Sequence, residues 1–215
     1  MRIPPVTDGF RRLAQLRDAR AFHPVGRVGH GRLVLDRTGS ELGRALGLGA
    51  HPVTVRLSRG LGLPSERPDL LGIAVRVEID DDPVDLLFTT ASHRTWARWL
   101  VLPARTWTSR PYSTVLPYDT GDDRIVLTLD PISDWARDSS PAALDDVSES
   151  QPLTFDVQES HHGTVGRLVI EQAGDDASIA FDPMLHARPT LRPVRPLSAL
   201  REAAYRGSRR GRRQV

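Results

Sequence analysis

The chain has 215 residues, 39 % hydrophobic and 26 % charged, the composition of a folded globular protein, and its apolar runs fall far short of the ~18 residues that a membrane-spanning helix needs. Cysteine is absent, which excludes disulfides, thiolate metal sites and cysteine nucleophiles and leaves metals to nitrogen and oxygen donors. All 29 basic residues are arginine and the net charge is only +2, so Schiff-base chemistry is excluded and bulk charge offers no argument for nucleic acid.

Taken in chain order, residues 31–36 and 53–58 read as strands. Between them, 40–48 starts at the capping residue Ser40 and carries apolar residues at helical spacing, which predicts a helix. Residues 72–79 and 83–90 read as strands joined by the acidic turn Asp80, Asp81, Asp82, which predicts a hairpin. A second helix is expected over 93–102, with Trp96, Trp99 and Leu100 on one face. Residues 104–118, with Trp107, Tyr112 and Tyr118, form an irregular region that suits a lid over a pocket or a subunit contact. Strands follow at 124–129, 153–159, 165–172 and 178–181, the first two separated by the polar connection 130–151. Near the end, Pro196 suits a first turn and 198–205 is built of strong helix formers up to Gly207; the arginine-rich tail 206–215 reads as solvated. Eight short strands are enough to close an antiparallel barrel. The expected fold is therefore α+β, mainly β, an eight-stranded barrel in one domain over 1–215, with a few peripheral helices. The N-terminus has two prolines in place of a signal-type apolar stretch, and a cytoplasmic protein with no membrane or nucleic-acid partner is expected.

Several familiar arrangements are set aside. His161 and His162 are adjacent in a turn, where neighbours point apart, and no carboxylate stands at metal spacing; a hairpin loop is the better reading. The glycines at 26, 29, 31 and 43–49 lack the strand, turn and helix order of a dinucleotide site, and no P-loop lysine exists. Ser58, Ser92 and Ser113 have no nucleophile-elbow context.

The run Arg20-Ala-Phe-His23-Pro-Val-Gly26, leading into the strand at 31–36, resembles the distal segment of the haem catalases. There an arginine precedes the essential histidine by three residues and a glycine follows before the first barrel strand. The likeness continues in order. Val55-Arg56-Leu57-Ser58, Pro68-Asp69-Leu70-Leu71-Gly72-Ile73-Ala74 and Asp85-Leu86-Leu87-Phe88-Thr89 look like three successive catalase blocks. Ala180-Phe181-Asp182-Pro183 and Leu200-Arg201-Glu202-Ala203-Ala204-Tyr205, with Arg212 beyond, resemble the approach to the proximal helix and its Arg-x-x-x-Tyr motif.

The resemblance implies a catalase-like barrel with a C-terminal proximal helix, haem b as cofactor, Tyr205 as the axial iron ligand and His23 as the distal acid/base. Tyrosinate favours ferric iron, and Arg201, four residues earlier on the same helical face, would hold the phenol ionised. Arg20, Arg56 and Arg212 would take the propionates, a task suited to the fixed guanidinium fork. His23 would move a peroxide proton from the inner to the outer oxygen, with Ser58 orienting its ring. The sequence also departs from the family. Thr89 stands where the distal asparagine is expected, Leu71 replaces the arginine before Gly-Phe-Ala, and His93 and Arg94 replace an aromatic pair. The chain is also far shorter than a full catalase. These departures favour peroxidase- or peroxygenase-type oxidation of a small organic co-substrate by peroxide or an organic hydroperoxide over dismutation, with a homo-oligomer as one assembly. Two alternatives remain: a non-catalytic haem carrier or sensor, and a haem-free barrel serving as an interaction module.

Overall fold

The computed structural model describes residues 26–64, 66–79, 82–94, 97–135, 137–174 and 179–194. Four long strands open the chain: β1 (Gly26–Leu35), β2 (Gly49–Arg59), β3 (Leu71–Val77) and β4 (Val84–Thr90). The short strands β5 (Tyr112–Ser113), β6 (Tyr118–Asp119) and β7 (Arg124–Ile125) follow, then β8 (Leu127–Pro131), β9 (Leu153–Glu159), β10 (Gly163–Gly174) and β11 (Arg192–Pro193). Eight of them close an antiparallel barrel in the order β1-β10-β9-β8-β5-β4-β3-β2, and β11, β6 and β7 make a small second sheet. The mainly β barrel expected from periodicity is what the chain forms.

The alternation that marks these strands in the sequence becomes the wall of the barrel. β3 and β9 bury every second side chain, as a sheet with one face on a core must. Val53, Val55 and Leu57 of β2 lie opposite Val77, Val75 and Ile73 of β3, and these in turn face Val84, Leu86 and Phe88 of β4. The interior they fill leaves a cavity of only ≈ 10 Å³, among Leu33, Val75, Phe88 and Leu168, barely the space one water requires. Among the described residues this apolar void is too small for a ligand.

Closing so small a barrel forces two strands together at the β1/β10 seam. A bulge interrupts the register between His30 and Gly31, and a Cβ on Gly31 would lie 1.9 Å from the Val169 carbonyl oxygen. Only glycine permits that approach.

Each end of the barrel is covered. At one, α1 (Glu41–Leu46) is capped by Ser40, whose hydroxyl accepts the Gly43 N–H, and Leu42, Ala45 and Leu46 join the core. The Glu159 carboxylate, fully buried, accepts the Glu41 and Leu42 amides, an anion placed where the orphan N–H groups of a helix start need one. At the other end, the polar connection after β8 folds back through a 3-10 helix (Ala142–Asp146). Leu144 and Val147 enter the core there, Arg27 pairs with Asp145 at 2.6 Å, and Arg59 donates to the Ser139 carbonyl at 2.9 Å. The loop between β2 and β3 is held by a buried knot: Asp69 accepts the Leu61, Leu63 and Leu70 amides and lies 3.4 Å from Arg59.

Three expectations need correction. Residues 179–181 form no strand; the eighth barrel strand is β5, inside the region read as a lid or contact. There Trp107 and Tyr112 are fully buried, Tyr112 donates to the Trp107 carbonyl at 2.8 Å and packs edge-on against Phe155, so these aromatics are core. The described part of 93–102 is bends and turns with Ala97 in 3-10 conformation rather than an α-helix, the Ala97 amide donating to the Arg94 carbonyl and the Leu100 amide to that of Ala97; Trp99 and Leu100 are exposed. The strand expected over 124–129 is split at Val126 between the two sheets. Among the described residues no helix is long and apolar enough to cross a membrane.

Candidate functional site

Register decides which outward side chains meet, because residues directly opposite in paired strands share a face. Three rows run across the outer face of β1–β4. In the upper row Gly26 pairs with Ser58, Ser58 with Gly72, and Gly72 with Thr89, continuing to Ser113 of β5. The middle row is Val28, Arg56, Ala74 and Leu87. The lower row is His30, Thr54, Arg76 and Asp85.

The upper and middle rows form a low, mostly apolar bed. Gly26, Gly72 and Ala74 raise little or nothing above the backbone, Val28 and Leu87 add apolar surface, and Arg56 brings a cation. Gly26 is small for a second reason: a Cβ there would stand 2.8 Å from the Leu57 carbonyl oxygen and 3.3 Å from Arg56 Nη2. The guanidinium thus lies along β1 in space that glycine leaves open. Ser58 is buried. Thr89 is half-buried, and its hydroxyl donates to the Leu71 carbonyl at 3.3 Å, which ties its polar atom to the barrel wall. Just past the row, Ser113 Oγ accepts the Val115 N–H, and Val115 has φ +63°, a strained turn for a β-branched residue.

Of the residues singled out from sequence, Arg56 and Ser58 of β2 and Thr89 of β4 are brought to this one bed from two blocks roughly thirty residues apart in the chain. Arg20, His23, Arg201, Tyr205 and Arg212, the helix expected over 198–205, Trp96 and the turn residues Asp80 and Asp81 lie outside the described residues. Leu71, in the place of an expected arginine, points into the barrel and is fully buried. Tyr112 is no rival as an anionic ligand: burial pushes its phenol far above the ordinary range. His161 and His162 diverge as a hairpin loop requires. His161 lies against the Arg124 carbonyl and His162 against Glu159. No group of three or more His, Asp or Glu capable of holding a metal occurs among the described residues.

The lower row holds a cluster that sequence reasoning missed. Asp85, fully buried, is gripped bidentately by Arg76 at 2.8 Å through each oxygen. His186 Nδ1 is 2.8 Å from Asp85 Oδ2, and the Asp182 amide donates to the same oxygen at 2.7 Å. Arg76 also lies over the Phe181 ring at 5.1 Å. The available signal was a single aspartate inside the apolar run Val84-Asp85-Leu86-Leu87-Phe88, a buried charge that demands partners.

No protein-family model and no curated protein matches this sequence. Solved structures do. The chain is similar to a bacterial catalase at 13 % identity and TM-score 0.63, over 97 % of this chain and 61 % of that one. It is similar to catalase A from Saccharomyces cerevisiae at 12 % identity and TM-score 0.64, over 96 % and 64 %, and to a fungal catalase at 11 % and 0.64, over 97 % and 63 %. The chain has a catalase-like fold and spans 61–64 % of the length of these proteins.

Proposed function

We propose that this chain is a haem-binding oxidoreductase that uses hydrogen peroxide or an organic hydroperoxide to oxidise a small organic molecule, in peroxidase- or peroxygenase-type chemistry. The observation that supports it is the bed itself: on the outer face of a catalase-like barrel, Gly26, Ser58, Gly72 and Thr89 share one row with Arg56 beside them.

The residues of the bed fit a flat, apolar macrocycle carrying carboxylates. Such a group needs a surface without protruding side chains, which Gly26, Gly72 and Ala74 provide, and a cation for its acidic edge, which Arg56 provides in the forked form suited to carboxylates. Haem, when bound, supplies the redox-active iron through which a peroxide is reduced. The chain's own residues do the rest. Tyr205 would hold the iron through a phenolate oxygen that Arg201 would keep ionised, and Arg20, Arg56 and Arg212 would neutralise the carboxylates. His23 accepts the peroxide proton from the inner oxygen and returns it to the outer one, and Ser58 hydrogen-bonds the imidazole. In the two-electron form the balance is ROOH + AH₂ → ROH + A + H₂O, with AH₂ the organic co-substrate.

Thr89 supports one further reading. Because its hydroxyl hydrogen is committed to the Leu71 carbonyl, Thr89 has no second hydrogen to donate to a peroxide, and this favours a haem carrier or sensor without turnover. Protein supplied with haem and then purified separates the readings. A Soret band with peroxide-dependent oxidation that falls at least ~100-fold in His23→Ala, haem still bound, supports the enzyme. A Soret band with no peroxide kinetics supports the carrier. Absence of any Soret band, or identical spectra for the wild type and Tyr205→Phe, refutes the haem site as assigned.

A further inference from the structure

The segment after β10 crosses the barrel directly below the bed, and little apolar burial holds it there. Pro183 is buried, but Met184 and Leu185 are 38 % and 73 % exposed. Its attachment at residues 180–186 is polar and converges on the Arg76–Asp85 pair. Arg76 Nη2 donates to the Ala180 carbonyl at 2.9 Å, the Asp182 amide to Asp85 Oδ2, and the Asp85 amide to the His186 carbonyl at 3.0 Å.

His186 Nδ1 lies 2.8 Å from both Asp85 Oδ2 and Arg76 Nη2, so the tautomer decides which bond forms. A lone pair on Nδ1 would accept from Arg76 but face the buried Asp85 carboxylate, acceptor against acceptor; a proton there would face Arg76 but donate to Asp85. Because the two Nη2 hydrogens already serve Asp85 Oδ2 and the Ala180 carbonyl, Nδ1 is taken as the donor to Asp85. The Asp85 amide returning to the His186 carbonyl completes a two-way clip between β4 and the segment.

We propose that Asp85 and His186 are positioning residues: the Asp85 carboxylate, oriented by Arg76, holds His186 in its Nδ1–H form and thereby fixes residues 180–186 at the lower edge of the bed. Directional bonds specify a position where apolar contact only favours proximity, and a buried charge cluster adds less to stability than to uniqueness of arrangement. Arg76 is two residues from Ala74 on the same face of β3, so a shift of the clip alters the margin of the bed. That last step rests on the haem reading; the clip itself does not.

Three measurements on the full chain test it. Long-range ¹H–¹⁵N spectra at pH 8 should show His186 protonated at Nδ1 and bare at Nε2; the opposite tautomer overturns the clip. Limited proteolysis should cut the Met184–Leu185 bond about tenfold faster or more in His186→Leu, and at the wild-type rate in His186→Asn, whose amide restores a donor at the Nδ1 place. Equal cutting of both variants overturns the role of that hydrogen bond. In haem-loaded protein, His186→Leu should shift the ferric absorption bands and His186→Asn should leave them in place; unshifted bands in His186→Leu overturn the positioning role. A wild type that takes up no haem refutes the proposed function instead, and the spectra and cleavage still decide the clip.

Discussion

Gly31→Ala places the added methyl against backbone. The new Cβ would stand 1.9 Å from the Val169 carbonyl oxygen and 2.9 Å from Ile170 Cα. Ordinary contact begins at 3.4 Å, so the β1/β10 seam has to open by 3.4 − 1.9, about 1.5 Å. Neither atom belongs to a side chain that can rotate away, and an opening of that size breaks the nearest ladder hydrogen bonds. Two such bonds at ~1 kcal/mol each, added to ~1–3 kcal/mol of overpacking strain, give a loss of about 3–5 kcal/mol. For a chain of this size 1 kcal/mol corresponds to ~2–4 °C in Tm, so the melt should fall by at least about 6 °C. Gly174→Ala is the matched control: it lies in the same strand pair, opposite Val28, and its Cβ would meet nothing within 4 Å. Thermal melts by circular dichroism, with urea titration for ΔG, measure both. A Gly31→Ala melt indistinguishable from that of Gly174→Ala would refute the claim that close strand approach at this seam closes the barrel.

Gly26→Ala should displace the Arg56 guanidinium, since the new methyl is 3.3 Å from Nη2 and 2.8 Å from the Leu57 carbonyl; haem affinity measured by titration is expected to fall about tenfold or more, and an unchanged affinity argues against Arg56 as the carboxylate partner. Glu159→Ala leaves the Glu41 and Leu42 amides unpartnered in a buried site and should cost about 3 kcal/mol in a denaturant titration, where a loss under ~1 kcal/mol contradicts the capping role. Burial, only partly offset by Arg98, holds the half-buried Asp130 carboxyl above its ordinary range. The folded state then binds the proton more readily, so stability falls as pH rises through that group's titration and the cost is complete at pH 7. Asp130→Asn should therefore raise the stability measured by urea titration at pH 7, by less than about 1 kcal/mol given its exposure and screening, and have no effect near pH 3; an equal gain at both pH values excludes the titration as the cause.

How much was legible depends on whether the signal was local. β2, β3 and β9 advertise themselves because each exposes one face and buries the other, so period-two alternation is written into five or more consecutive residues. α1 is legible from Ser40 and the residues after it. β5 has two residues and therefore no period; its membership exists only through pairing with Thr89 and Thr90 on one side and Thr128 and Leu129 on the other. Residues 93–102 carry apolar side chains at helical intervals, yet Trp99 and Leu100, the described members of that stripe, are each nearly half exposed and outside the core. Apolar spacing predicts a helix only where a second element covers the stripe.

The same division runs through the site. Composition alone excluded thiolate and lysine chemistry, and residue order within the blocks around Arg56, Ser58 and Thr89 was enough to nominate them. That the three stand on one face, in adjacent rows with Gly26, Gly72 and Ala74, follows from the inter-strand register, which couples residues up to 63 positions apart. The Arg76–Asp85–His186 cluster spans 110 residues and has no sequence motif at all. Local order sets which side chains a strand displays and to which side; only closure of the barrel sets what those side chains meet, because a hydrogen-bonded ladder fixes neighbours across the sheet that the chain itself keeps far apart.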